Sequence, residues 1–291
     1  MSAVSLKSMQ TNKKKYLAAL AVGPAKMGKT TTLTAQCLGY MPGQKYGLVT
    51  SPKHLHVIGF DQDFVGGLAN FLTGVLKKPE EALDINIYDL ESARAKSGET
   101  MEWDETFHSA VVKELNTIKQ NIAKLPGVHA VIISSSTGLG EGLLNGLSGP
   151  PSASGKGTGM SIPKWSELGR RLSYIRNLIQ TPTHHTFWEG HVTKGSGEDA
   201  KETLGLSGKT GQNFAYNVGH VFKLQREMAK FEGTQVDKVS INTKPTLDFH
   251  AGGRGVSVLA DKETDLVVIA EKLGYEVGRY GAPAVAAATP A

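Results

Sequence analysis

Cysteine is almost missing from this sequence: Cys37 is the only one in 291 residues. An internal disulfide is therefore excluded, and the lone thiol falls in a stretch expected to be helical, as a small buried residue and not a nucleophile. A reducing, cytoplasmic setting is the expectation. Long apolar runs are missing too. None approaches the length of a bilayer crossing and no secretory h-region is seen, so no membrane association is expected. Nor does one sign of charge dominate. The 32 basic and 27 acidic residues are interspersed and leave a formal charge of +5, which permits nucleic-acid contact without requiring it. Aromatics are few in the two glycine-rich stretches 138–163 and 194–211, so platforms for stacking bases are not evident there. Glycine, by contrast, is plentiful at 34 residues and gathers in a few stretches.

The most specific of these stretches is Gly23-Pro24-Ala25-Lys26-Met27-Gly28-Lys29-Thr30, followed by Thr31. An apolar run, Tyr16 to Val22, precedes it, and Thr31 to Leu38 reads as a helix. Strand, G-x-x-x-x-G-K-T and helix in that order form a phosphate-binding loop. Glycines let backbone N–H groups curl around a polyphosphate, and the helix N-terminus adds partial positive charge there. Lys29 would reach the outer phosphates and the Thr30 hydroxyl would join the shell of Mg²⁺.

Further strands are expected at Leu55–Phe60, Asp84–Leu90, Val128–Ile133, Thr183–Gly190, Val221–Leu224 and Val239–Thr243, the last two pairing antiparallel. Helices are expected over 64–77, 104–125, 164–180 and 264–273. Phe107, Val111, Leu115, Ile118, Ile122 and Leu125 recur at helical spacing and read as core. Arg170, Arg171 and Arg176 of the 164–180 helix are expected nearer the solvent. Residues 138–163 and 194–211 read as two long glycine-rich loops, and Gly252 to Gly255 as a tight turn. The basic stretch 1–15 and the low-complexity stretch 276–291 are expected as flexible tails around one folded unit, 16–275.

In an open parallel sheet, ligands sit beyond the carboxyl ends of the strands. Asp61 and Asp63 follow one such end. Asp63 reads equally as a helix N-cap or as a carboxylate acting on the attacking water. On the strand ending Val131-Ile132-Ile133, Ser134 stands where a metal-binding acid is expected; a hydroxyl can hydrogen-bond a metal-bound water but supplies no charge. His184 and His185 point to opposite faces of a strand, which argues against zinc, and His191 is the better candidate as a polar sensor. Arg254 is either a solvated turn residue or an arginine finger acting on a neighbouring subunit's nucleotide.

Taken in order, these pieces resemble the RecA-like P-loop ATPases, and most closely the phage-encoded nucleotide-binding proteins of single-strand annealing and recombination. The resemblance runs from about Tyr16 to Leu273. It implies an α/β fold, with a mostly parallel central sheet flanked by helices and a small antiparallel C-terminal extension. It also implies ATP and Mg²⁺ as ligands, and Lys29, Asp63, His191 and Arg254 as catalytic groups. Residues 23–31 would hold the nucleotide, and Thr30 and Ser134 would attend the metal. The partners implied are single-stranded DNA, further copies of the chain with nucleotide at the subunit interface, and a single-strand-binding protein. Two other functions compete: a nucleotide-dependent assembly protein with weak hydrolysis, and, ranked last, a small-molecule phosphotransferase.

Overall fold

A computed structural model describes residues 16–24, 27–41, 43–78, 84–96, 105–148, 161–194, 202–204, 214–215, 217–231, 234–244, 252–253, 256–263 and 265–281. The expectations for residues 1–15, 149–160, 195–201, 205–211 and 282–291 and for Arg254 fall outside them. Among the described residues no helix is long and apolar enough to cross a membrane.

The first apolar run becomes strand β1 (Ala18–Gly23), and the loop after it opens helix α1 (Lys29–Leu38). There follow β2 (Leu55–Gly59), α2 (Phe64–Asn70) with a π turn continuing it over Phe71–Val75, and β3 (Asn86–Asp89). Next come the short α3 (Glu91–Ala95), α4 (Thr106–Lys124), β4 (Ala130–Ser134), α5 (Ser136–Ser148) and α6 (Ile162–Ile179). The last part holds β5 (His185–Lys194), β6 (Glu202–Leu204), β7 (His220–Phe231), β8 (Thr234–Asn242), β9 (Gly252–Gly253), β10 (Lys262–Glu263) and α7 (Leu266–Lys272).

The strands lie in the order β10-β8-β7-β1-β5-β4-β2-β3, with β6 on β5 and β9 on β7. From β7 to β3 every neighbour is parallel. β7–β8 and β8–β10 are antiparallel, as are the additions β6 and β9. The protein is thus an α/β fold with a mostly parallel sheet and a small antiparallel part. Such strands are buried on both faces, which explains why they read as apolar runs and not as alternating patterns. Leu17, Ala19, Ala21, Val57, Ile132 and Phe187 face one layer, made by α1, α2 and α7. Leu20, Val22, Ile58, Val131, Ile133 and Trp188 face the other, made by α4, α5 and α6.

Three expectations are corrected. The supposed loop from 138 is helical to Ser148, and its Leu139, Leu143 and Leu147 are buried. Its glycines lower helix propensity, but packing requires them: a Cβ on Gly142 would stand 2.4 Å from the Phe107 ring. Tertiary contact overrides propensity here. Arg171, expected nearer the solvent, is 2% exposed, because Glu167 and Glu105 receive its guanidinium at 2.8 and 2.9 Å. Finally, β5 does not stop before His191 but runs on to Lys194, since β6 pairs with its far end.

The stretch after α7 packs as well. Gly278 N donates to Leu48 O and Tyr280 N to Val49 O, so residues 276–281 lie against the segment that follows α1.

Candidate functional site

β1 delivers the phosphate-loop sequence to the carboxyl edge of the sheet, between β5 and β7. Gly28 ends the loop at φ 77°, ψ 35°, a left-handed conformation that favours glycine. Gly28, the N-cap of α1, makes no side-chain cap bond, and an uncapped helix start suits an anion. Lys29 is 5% exposed. Its Nζ turns back on the loop and donates to Pro24 O at 2.8 Å and Gly23 O at 3.2 Å. Burial pushes the Lys29 ammonium below its ordinary pKa, while the charges of Glu189 and Asp61 pull the other way.

Beneath the loop, three groups meet. Thr30 Oγ1 donates to Glu189 Oε2 at 2.9 Å and lies 2.8 Å from Ser134 Oγ. Ser134 Oγ donates to the same Glu189 oxygen at 3.2 Å. Register explains the arrangement. In β4 and β5, Ile133 aligns with Trp188, so Ser134 and Glu189 follow side by side; in β1 and β5, Ala21 aligns with Glu189 and Gly23 with His191. Glu189 is 2% exposed. Burial drives its carboxyl well above the carboxylate range, against the Thr30 hydrogen bond, the Lys29 charge and the Ser134 hydrogen bond; the Asp61 charge adds to the rise. Its second oxygen, Oε1, is buried without a hydrogen-bond partner among the described residues.

Two walls complete the site. His191 N donates to Thr137 Oγ1 at 3.2 Å. Its imidazole is held below its usual pKa by burial first and by Lys29 second, with Asp61 opposing. Asp61 follows the end of β2 and reaches the start of α5: a Cβ on Gly138 would lie 2.8 Å from Asp61 Oδ1. Ser136 donates to Glu189 O at 2.6 Å, tying the first turn of α5 to β5.

The sequence-derived candidates are therefore placed as follows. Lys29, Thr30, Ser134 and His191 converge on adjacent strand ends. Asp63 occupies the N-cap position of α2 at φ 55°, exposed and without a side-chain cap bond. The carboxylate whose charge acts on Lys29, Glu189 and His191 is Asp61. Gly23, Pro24, Met27, Gly28 and Thr31 are in place around the loop, with Thr31 Oγ1 donating to Gly28 O at 2.8 Å; Ala25 and Lys26 lie outside the described residues. Glu189 was not singled out from sequence. Its signal is the two-residue period of β5, in which His185, Phe187, Glu189 and His191 share one face, so the acid lands beside the loop.

Among the described residues no group of three or more His, Cys, Asp or Glu side chains could hold a metal ion, so any cation here would rely on hydroxyls, one or two carboxylates and its own waters, the pattern of Mg²⁺. The uncapped helix start and the unpartnered Glu189 Oε1 fit a magnesium-bound polyphosphate. No family model and no curated protein matches this chain.

Proposed function

We propose that this chain binds ATP as its magnesium complex at the loop from Gly23 to Thr31 and hydrolyses it as a RecA-like ATPase. The observation that carries the reading is Lys29: a buried ammonium, directed onto two loop carbonyls, its pKa lowered by burial against the opposing charge of Glu189. A lysine kept there against its desolvation cost needs an anionic ligand to justify it, and the outer phosphates are that ligand.

In this reading the loop N–H groups and Lys29 bind and orient the phosphates. Thr30, with Ser134 and Glu189 behind it, faces the cation, which when bound would neutralise phosphate charge. His191 and Asp61 line the side on which water would approach. The order of the sheet supports a RecA-like assignment, since the loop, His191 and Ser134 fall on β1, β5 and β4 in spatial succession. Arg254 from a neighbouring subunit, action on single-stranded DNA in phage-type recombination or annealing, and a single-strand-binding partner rest on the resemblance alone.

The second reading, a nucleotide-dependent assembly protein with weak turnover, is favoured by Ser134: the expected strand-end acid is replaced by a hydroxyl. Turnover of ATP with and without single-stranded DNA, measured for wild type, Lys29→Ala and Arg254→Ala, separates the two. DNA-stimulated turnover lost in both variants, and restored by mixing them, supports the ATPase acting between subunits. Tight ATP binding with negligible turnover supports the assembly protein. Absence of ATP binding by wild type overturns both.

A further inference from the structure

We propose that Glu189 is the carboxylate that holds the nucleotide's divalent cation, from the strand beside the one where an acid was expected. The inference rests on the nucleotide reading above and adds the residue that makes its cation site complete. Ser134, at the end of β4, carries no charge. Glu189 stands next to it in register on β5, one strand spacing away, about 4.8 Å. Its side chain is one methylene longer than an aspartate and spans the gap: Oε2 already reaches both Thr30 Oγ1 and Ser134 Oγ. The acid has moved sideways by one strand and stayed in the same row.

The two oxygens of Glu189 differ. Oε2 accepts from two hydroxyls, and Oε1, equally buried, accepts from nothing among the described residues. A buried carboxylate oxygen without a donor is costly unless something meets it. Thr30 belongs to the loop that would hold the phosphates, so a cation between Thr30 and the phosphates comes within reach of this carboxylate. It meets Glu189 directly or through one bound water, as suits an ion that keeps several waters. Asp61 is the competing acid, but its Oδ1 stands at the start of α5, beside Gly138, whereas Glu189 already accepts from Thr30.

The test is binding, read apart from turnover. Mn²⁺ affinity would be measured by electron paramagnetic resonance on the full chain loaded with a non-hydrolysable ATP analogue, and analogue affinity separately in EDTA. In Glu189→Gln, Mn²⁺ affinity should fall by about ten- to a hundredfold, with cation-free analogue affinity retained. Adding Ser134→Asp to Glu189→Gln should return most of the loss, because it restores an acid to the row from β4; this double variant also carries the test if the single one does not fold. Unchanged Mn²⁺ affinity in Glu189→Gln, or a double variant no better than the single, overturns the assignment of Glu189 alone. Wild type that fails to bind the analogue with Mn²⁺ present overturns the nucleotide reading and this inference with it.

Discussion

Thr30 Oγ1 donates to Glu189 Oε2 at 2.9 Å, joining the first turn of α1 to a strand 159 residues further along the chain. The bond ties the phosphate loop to the middle of the sheet. It makes the loop's hydroxyl and the buried acid a single unit.

Lys29 should trade stability against binding. Its ammonium is buried, and burial lowers its pKa, so Lys29→Met removes a desolvated charge while keeping the apolar stem. Melting temperature should hold or rise, whereas affinity for a fluorescent ATP analogue should fall by roughly ten- to a hundredfold, the scale of a lost charged hydrogen bond. A variant that binds as well as wild type would refute the assigned role.

Asp61 and Asp63 can be told apart by charge removal alone. Asn tolerates the left-handed backbone of Asp63, φ 55°, so Asp63→Asn tests charge without adding strain. Turnover should drop by about a hundredfold in Asp61→Asn, the lower end for a group acting on proton transfer, and less in Asp63→Asn. The reverse order would return the catalytic role to Asp63.

Gly142→Ala should destabilise by about 1–3 kcal/mol through overpacking, because its new Cβ would press on the buried Phe107 ring. Chemical denaturation of Gly142→Ala, Phe107→Leu and the double variant checks this. A double variant less stable than the sum of the singles would show that the two side chains do not collide.

Acid should weaken the fold through two buried histidines. Burial holds the His184 and His185 imidazoles at about 4, below the ordinary 6.5. The unfolded chain therefore binds more protons between those values, so this stabilisation is complete above about pH 6.5 and is lost as pH falls toward 4. The loss is on the order of 2–3 kcal/mol for each imidazole. For His185 the geometry says why: Leu17 N donates to its Nδ1 at 2.9 Å, while Nε2 lies 2.8 Å from Glu276 O. A proton on Nδ1 breaks the first of these bonds. Melting temperature should decline through that window and less steeply in His185→Gln; a flat profile from pH 7 to 4 contradicts it.

Much of this fold can be read along the chain. The order of β1, loop and α1 is legible because glycine, lysine and threonine each have one physical task there. The stripe Phe107, Val111, Leu115 and Ile118 is legible because α4 has one buried face. What escapes reading depends on neighbours distant in sequence. The helix from Ser136 is hidden by its glycines, and the reason for one of them, Gly142, is the Phe107 ring on another helix. Arg171 reads as a surface cation until Glu105 is brought beside it. Glu189 carries no local motif, and its meaning comes from register with Ser134 and from the reach of Thr30.

The His185 imidazole has a topological consequence as well. It links Leu17, at the start of β1, to Glu276, which follows the last helix, and Tyr16 Oη donates to Glu276 Oε2 at 3.1 Å. The first and last described segments thus run side by side. In a variant trimmed to residues 16–281, a short linker joining them would close a ring, and a new opening cut in a surface connection would give a circular permutant with the same sheet order.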